Sequence, residues 1–450
     1  MKTRTAVLSG VLVLVLGAGV VTLNAFLPVV TGYAAKNLAS GVFVAGRTQE
    51  DMENTDLNFS FIKYTHNTVN YEHKFVKSRL LWNTSKAVFI APDFGCTLLA
   101  GYPEDSIRSR KWPQVVAVPQ NPDTVPWPTG DLLPDTVPQG IDLVRLKAAV
   151  EWAMADTVPM KGTFALIVLY KGVPVAEAYS HNVNADTRFL SWSMAKSVSA
   201  ILAGCRVADG RFDVNVPLAF PQWTDARARI TADNLLRMNS GLKWTEDYGT
   251  LSDVTAMLHK EPDMGGYTLR RLYESAPGAR WEYATGSTNL LCYALRRSFN
   301  SDIEYWRYPR MALFNRIGMR SAVFETDASG TFSGGSYLYA TARDYARFGL
   351  LCLNAGWWNG VRLLPEQWFD YITTPTPDSG NKYGASFWLN RAAELPAAPP
   401  DMFWCDGHDG QYIFVIPSLK LVVVRTGFSK KGDFSANLLL REIVNSITER

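Results

Sequence analysis

Three kinds of hydrophobic spacing follow one another along the chain, and each predicts a different element. The first is a solid block. "AVLSGVLVLVLGAGVVTLNAFLPVV", Ala6 to Val30, carries no charge and follows Lys2 and Arg4. A helix of about 20 apolar residues crosses a bilayer, and positive charge ahead of it holds the N-terminus in the cytoplasm. The expectation is a signal peptide or N-terminal membrane anchor over residues 1–32, with the rest exported to the periplasm or cell surface. Ala25 and Gly32 are small enough for a cleavage site, but neither has an A-x-A context. Release and anchoring to the cytoplasmic membrane both stay open.

The second spacing is alternation. "FSFIKYTHNTVNYEHKFVKSRLLW" (59–82) and "KAVFIA" (86–91) mix β-branched and aromatic residues with polar ones, as strands do. The prolines of "QNPDTVPWPTGDLLPDTVPQG", Gln120 to Gly140, exclude a helix or a central strand there. Residues 33–140 therefore read as an N-terminal extension ending in a Pro-rich connector.

The third spacing mixes helical periods with solid apolar strands. "IDLVRLKAAVEWAM" has helical spacing, and "GTFALIVLYKGVPVAEAYS" reads as a hairpin turning at Lys171-Gly172. Helical stretches follow. Strands return at "GQYIFVIPSLKLVVVRTG", and "SANLLLREIVNSIT" closes as a helix. Strands at both ends with helices between them predict an α/β domain over 141–450, its sheet built from both ends.

Composition narrows the function. With 47% hydrophobic and 19% charged residues the chain is globular. A net charge of +3 without a basic block excludes an electrostatic nucleic-acid partner. The five cysteines, at 96, 205, 292, 352 and 405, are odd in number, so at least one thiol is unpaired within the monomer; Cys205 and Cys292 sit in apolar helical patterns as small core residues. The histidines, at 66, 73, 181, 259 and 408, show no metal-ligand spacing. No Walker loop, G-x-G-x-x-G or G-x-S-x-G occurs, so neither a metal nor a cofactor is expected.

Candidate chemistry lies in serines followed three residues later by lysine. There are four: Ser60–Lys63, Ser193–Lys196, Ser240–Lys243 and Ser379–Lys382. A lysine base must reach the serine oxygen, which positions i and i+3 allow on a helix and forbid on a strand. Ser60 lies in a strand-like run. Ser240 and Ser379 each precede glycine in turn-like stretches. Only Ser193 opens a helical pattern, "SMAKSVSAILAGCRVADG", with Met194, Val198, Ile201 and Leu202 on one side and Gly210 as the stop. There the helix N-terminus favours an alkoxide, and burial favours a neutral amine. The competing reading is a serine that merely starts a helix beside a solvated lysine.

Such a site needs a proton carrier and an oxyanion hole. Tyr283, in "PGARWEYATGSTN", ends a short extended run before a helix beginning near Ser287; Tyr339, in "YLYATARDYARF", has a similar setting. In "DGHDGQYIFVIP", Gly410 permits close backbone approach and the N–H of Gln411 can face an oxyanion opposite that of Ser193. His408, beside two glycines and a strand edge, either lines the site or is structural.

Taken in order, "SMAKS", "YATGSTN" and "GHDGQ", with "LLRMNSGLKW", "NGVRLLPEQW" and "FVIPSLKLVVVRTG" around them, resemble the serine β-lactamase and penicillin-binding superfamily. The similarity is to its class C-related branch of esterases, D-aminopeptidases and 6-aminohexanoate-dimer hydrolase. The resemblance implies an antiparallel sheet flanked by helices plus an all-helical lobe, with the site between them. It implies Ser193 as nucleophile, Lys196 and Tyr283 as the proton-handling pair, and Ser193 and Gln411 as oxyanion donors. "GLKWTEDYG" resembles a substrate-side loop of the oligomer amidase, implying Tyr248 as a contact. Two positions depart from the family pattern: Thr285 stands where asparagine is usual, and His408 where many members carry lysine. A mostly neutral histidine holds a carboxylate less well, so a small ester or linear amide is expected over a β-lactam. A non-hydrolytic envelope sensor or scaffold of the same fold, and a D,D-peptidase or β-lactamase, are the alternatives.

Overall fold

The computed structural model describes residues 2–115, 121–155, 162–429 and 432–449, with side chains from residue 19 onward. A six-stranded antiparallel sheet lies at the centre, in the order Trp388–Leu389, Phe403–Gly407, Gln411–Ile416, Leu421–Gly427, Thr163–Tyr170, Val173–Tyr179. It is built from both ends of the domain, since Thr163–Tyr170 pairs with Leu421–Gly427. Side chains alternate between two covered faces. Ile167, Leu169, Val422 and Val424 join the core containing the helices Met194–Ala208 and Ala342–Leu353. Leu166, Val168, Leu421 and Val423 meet the helices Leu143–Met154 and Ala436–Asn445. A sheet covered on both faces needs apolar residues at successive positions, so these strands read as solid runs. Each fully buried Val or Leu contributes roughly 1.5–3 kcal/mol. At the hairpin, Lys171 and Gly172 take φ of 50° and 80°, as a tight two-residue turn requires.

The helices Ala232–Leu236, Asp253–Lys260, Met264–Leu269 and Thr285–Arg296 pack on one another as the helical lobe. Between lobe and sheet runs Met194–Ala208. Instead of one apolar side, every residue from Met194 through Cys205 is buried. Its serines make this possible by pinning the helix to its walls: Ser197 Oγ donates to the Ser386 carbonyl (2.6 Å) and Ser199 Oγ to that of Gly334 (3.1 Å).

The extension is a second layer. The strands His66–Asn70, Phe75–Leu80, Asn83–Ala91 and Gly95–Leu98 form an antiparallel sheet against the helix Lys2–Phe43. Phe59–Thr65, expected as strand, is instead a turn and a short 3-10 helix, with Ser60 at φ 45°. Phe59 and Phe61 set their rings edge-on to Tyr33 (5.4 Å) and Phe26 (5.5 Å) of the helix, and that packing overrides the alternation. The helix continues unbroken through residue 32. Val30, Ala34, Ala35, Leu38 and Ala39 are buried. At Gly32 a Cβ would lie 1.9 Å from the His259 carbonyl oxygen, so a side chain is excluded there. A buried ion pair fastens the layers: Lys36 Nζ meets Glu325 Oε2, with 2% and 0% exposure. Glu325 also accepts from Ser40 Oγ (2.8 Å) and Cys96 N–H (2.7 Å).

Among the described residues no helix is long and apolar enough to cross a membrane. The part of Ala6–Val30 before residue 19 lies outside the described side chains. From residue 121 the connector is irregular apart from one short 3-10 turn. Arg347 holds it, donating to the Pro128 and Gly130 carbonyls (2.8 and 2.7 Å). All five cysteines are buried and free.

Candidate active site

A short strand, Phe189–Leu190, pairs with Leu338–Ala340 and then turns into the helix Met194–Ala208. The turn is made by Trp192 at φ 45°, a strained conformation for a bulky residue. Its ring is clamped between Tyr33 (6.3 Å, stacked) and Tyr337 (6.2 Å). Ser193 follows at the helix N-cap with helical φ and ψ of −66° and −6°, and its side chain makes no capping bond. The hydroxyl is thus left for other work, near the positive end of the helix dipole.

Lys196, one turn on, is 1% exposed. Its Nζ lies 2.8 Å from Ser193 Oγ, 2.9 Å from Thr285 Oγ1 and 2.8 Å from the Gly335 carbonyl oxygen. Burial pushes the amine down to about 8, against the opposing pull of Glu246. Thr285 Oγ1 in turn donates to Glu246 Oε1. Glu246 also accepts from the Thr285 N–H (2.9 Å) and from Trp244 Nε1 (2.5 Å), with Tyr248 OH at 3.5 Å.

This wiring fixes the direction of the amine. A neutral lysine has two N–H groups and one lone pair. The Gly335 carbonyl can only accept. Thr285 Oγ1, whose hydrogen points at Glu246, accepts as well. Both N–H groups are thereby used, and the lone pair is left facing the Ser193 hydroxyl. Gly335 is essential to this approach, because a Cβ there would sit 2.7 Å from Thr285 Cγ2.

Tyr283 stands two residues before the helix Thr285–Arg296, which begins earlier than Ser287 because Glu246 holds the first N–H. The Lys196 Nζ is 5.1 Å from its ring centroid. Burial raises the phenol far above its ordinary range, with Tyr383 and Glu246 adding to the effect and a bond to Ser193 opposing it. Tyr339, the alternative, is buried with the N-terminal helix instead.

The hairpin between Phe403–Gly407 and Gln411–Ile416 closes on the same place. Asp409 and Gly410 take φ of 59° and 85°. A Cβ on Gly407 would lie 2.3 Å from the Ser191 carbonyl, so the strand end presses on the segment carrying Ser193. The Gln411 side chain is engaged with both the N–H and carbonyl of Gly427, and Gln411 pairs with Gly407 at the end of the hairpin. Arg425 donates to the Gly410 carbonyl (2.6 Å); burial pushes that guanidinium down to about 10. His408 stacks on Tyr248 at 4.8 Å, stands edge-on to Trp192 at 5.5 Å, and has Nε2 3.3 Å from Asp409 Oδ1.

Ser193, Lys196 and Tyr283 are thus one cluster, with Tyr248 and His408 as a stacked pair beside it. The other Ser–Lys pairs are not wired this way. Lys63 Nζ lies over the Tyr64 ring (5.1 Å), Lys382 pairs with Glu394 (2.8 Å), and Lys243 is exposed. Among the described residues no group of acidic, histidine or cysteine side chains is placed to hold a metal. Sequence reasoning noted Thr285 only as a departure and missed Glu246 and Gly335. The available signal was Glu246 itself, an acid between Trp244 and Tyr248, where an aromatic setting demands donors.

A family model described as Beta-lactamase matches residues 159–443. The chain belongs to the β-lactamase family of serine hydrolases. A 6-aminohexanoate-dimer hydrolase of Paenarthrobacter ureafaciens is 23% identical over 295 residues, covering 58% of this chain and 72% of that protein. Among solved structures, a family VIII carboxylesterase matches with TM-score 0.54 at 16% identity, covering 68% of this chain and 98% of its own. A D-stereospecific amidohydrolase from Streptomyces sp. matches with TM-score 0.51 at 16% identity, covering 66% and 98%. These structural likenesses speak for the fold.

Proposed function

We propose that this serine hydrolase cleaves small esters or linear amides through an acyl-serine intermediate, a reaction of the type run by 6-aminohexanoate-dimer hydrolase but on a substrate without charged ends. The observation that carries the reading is the buried Lys196 Nζ 2.8 Å from Ser193 Oγ, with its two other contacts made to acceptors. Lys196 takes the Ser193 proton as Oγ adds to the carbonyl carbon. The oxyanion forms between the backbone N–H groups of Ser193 and Gln411. Tyr283, held as a neutral phenol by burial, protonates the leaving oxygen or nitrogen and recovers its proton from the Lys196 ammonium. Water then attacks the acyl carbon and gives its proton to the same pair; the acyl–Oγ bond breaks as that pair returns a proton to Ser193 Oγ, and the acid leaves.

His408 favours a neutral substrate over a β-lactam or peptide carboxylate. It stacks on Tyr248, and its Nε2 is turned to Asp409 Oδ1 and not left for a substrate carboxylate. Export is part of the proposal and rests on Lys2 and Arg4 ahead of the charge-free Ala6–Val30. Retention as an anchor fits better than cleavage at Gly32, which is buried in mid-helix against His259.

The test is Ser193→Ala. Turnover of p-nitrophenyl acetate should vanish while the circular dichroism spectrum and melting temperature stay put, and a fluorophosphonate should label wild-type protein at Ser193. Full activity in the variant ends this reading, and a folded protein silent to both reagents points to the sensor or scaffold.

A further inference from the structure

We propose that the N-terminal extension forms a binding groove for the apolar acyl chain of the substrate, so that esters or amides of medium-chain acids are preferred. The inference rests on the acyl-serine reading above. A narrow groove of about 80 Å³ lies between the two layers. Phe26, Val30 and Tyr33 of the N-terminal helix and Phe59 of the following turn form one wall; Tyr248 and His408 form the other. No lysine, arginine, aspartate or glutamate is among its described lining residues. Two of its polar neighbours are already engaged: Thr255 Oγ1 donates to the Thr250 carbonyl (2.8 Å), and His259 Nδ1 meets Tyr337 OH (3.4 Å). An apolar chain loses no hydrogen bond by lying there, whereas a charged one would have to be desolvated without a partner.

The groove is linked to the segment that carries Ser193 through its inner wall, although Ser193, Lys196 and Tyr283 are not themselves among its lining residues. Its Tyr248–His408 pair packs on Trp192, the residue immediately before Ser193. Tyr283, on which the leaving group must depart, belongs to another aromatic cluster with Tyr383 and Trp388. The His408 side is therefore left for the acyl part. The wall lies outside residues 159–443, so it is an addition to the family domain. At the outer rim Phe61 is 55% exposed and edge-on to Phe26, an open end through which a longer chain can pass.

The experiment is a series of p-nitrophenyl acetate, butanoate, hexanoate and octanoate. In the wild type, kcat/KM should rise by about fourfold per methylene while the chain stays inside the groove. In Phe61→Asp the octanoate-to-acetate ratio should fall at least tenfold, at a melting temperature close to wild type because Phe61 is exposed. Alkyl acetates of increasing alcohol length should show no such rise; a rise there instead overturns the acyl assignment. A flat acyl series with turnover that depends on Ser193 overturns the groove and leaves the hydrolase standing. Should no ester be turned over, the hydrolase reading falls, and titrating the neutral octanamide into folded Ser193→Ala protein decides the groove. Saturable binding weakened by Phe61→Asp supports it, and no binding overturns it.

Discussion

Replacing Glu246 by glutamine removes one charge from the wiring of Lys196 and keeps its shape. The carboxylate stands behind Thr285 Oγ1, about 5 Å from the amine as two hydrogen-bond lengths. At an effective dielectric of about 20, two unit charges that far apart interact by roughly 3 kcal/mol. In the native protein that attraction favours the ammonium and works against burial, which leaves the amine at about 8. Only the neutral amine accepts the serine proton. Wild-type kcat/KM should therefore rise with pH and level off above an inflection at about 8, gaining roughly tenfold between pH 7 and pH 9. Removing the anion disfavours the ammonium, so the amine gives up its proton more easily. With 1.4 kcal/mol per tenfold, the inflection should fall to about 6. The plateau should drop too, because both donors on the far oxygen, Thr285 N–H and Trp244 Nε1, now face an NH₂. The position of the inflection is the diagnostic quantity, since a purely structural defect would scale the whole curve. The assay is the pH profile of kcat/KM for p-nitrophenyl acetate, corrected for spontaneous hydrolysis, with folding checked by circular dichroism. An inflection that stays in place or moves upward refutes the wiring.

Other consequences can be measured as directly. Lys196→Ala should cost at least about a thousandfold in kcat/KM, and adding Ser193→Ala should cost almost nothing more, because residues acting as a unit are not additive; Lys196→Arg should be equally inactive, since guanidinium keeps its proton. Lys36→Met strands Glu325 in the interior and should lower the unfolding free energy by about 3–5 kcal/mol in a denaturant titration, with much of it restored in Lys36→Met/Glu325→Gln. Gly335→Ala places a methyl 2.7 Å from Thr285 Cγ2; overpacking should lower stability by about 1–3 kcal/mol, and kcat should fall further than that loss alone implies, because both partners of the amine move.

Local signals made much of this molecule legible. The solid runs at 163–170 and 421–427 report burial on both faces, and burial on both faces reports a central sheet position. Ser193 stands out among four candidates because helical spacing alone brings a lysine back to a serine. What stayed hidden depends on long-range contact. Thr285 receives Glu246 from 39 residues away, and nothing near either residue advertises the meeting. Phe59–Thr65 alternates like a strand, yet its rings are claimed by a helix that ends before residue 44. That helix has the composition of a membrane segment as far as residue 30, and its apolar face continues into the fold. The same hydrophobicity serves a bilayer or a protein core, and only the partner distinguishes them.

The ion pair between Lys36 and Glu325 joins residues 289 positions apart. At a synthesis rate of roughly 5–20 residues per second, the helix leaves the ribosome about 15–60 s before its acidic partner exists. The sheet His66–Leu98 can cover part of the helix early in that interval, but the flank that meets His259 and Glu325 stays open until the end of it. Biogenesis must therefore provide a temporary shelter, from a chaperone or from the lipid itself, until the late hairpin is made and the nascent chain can close.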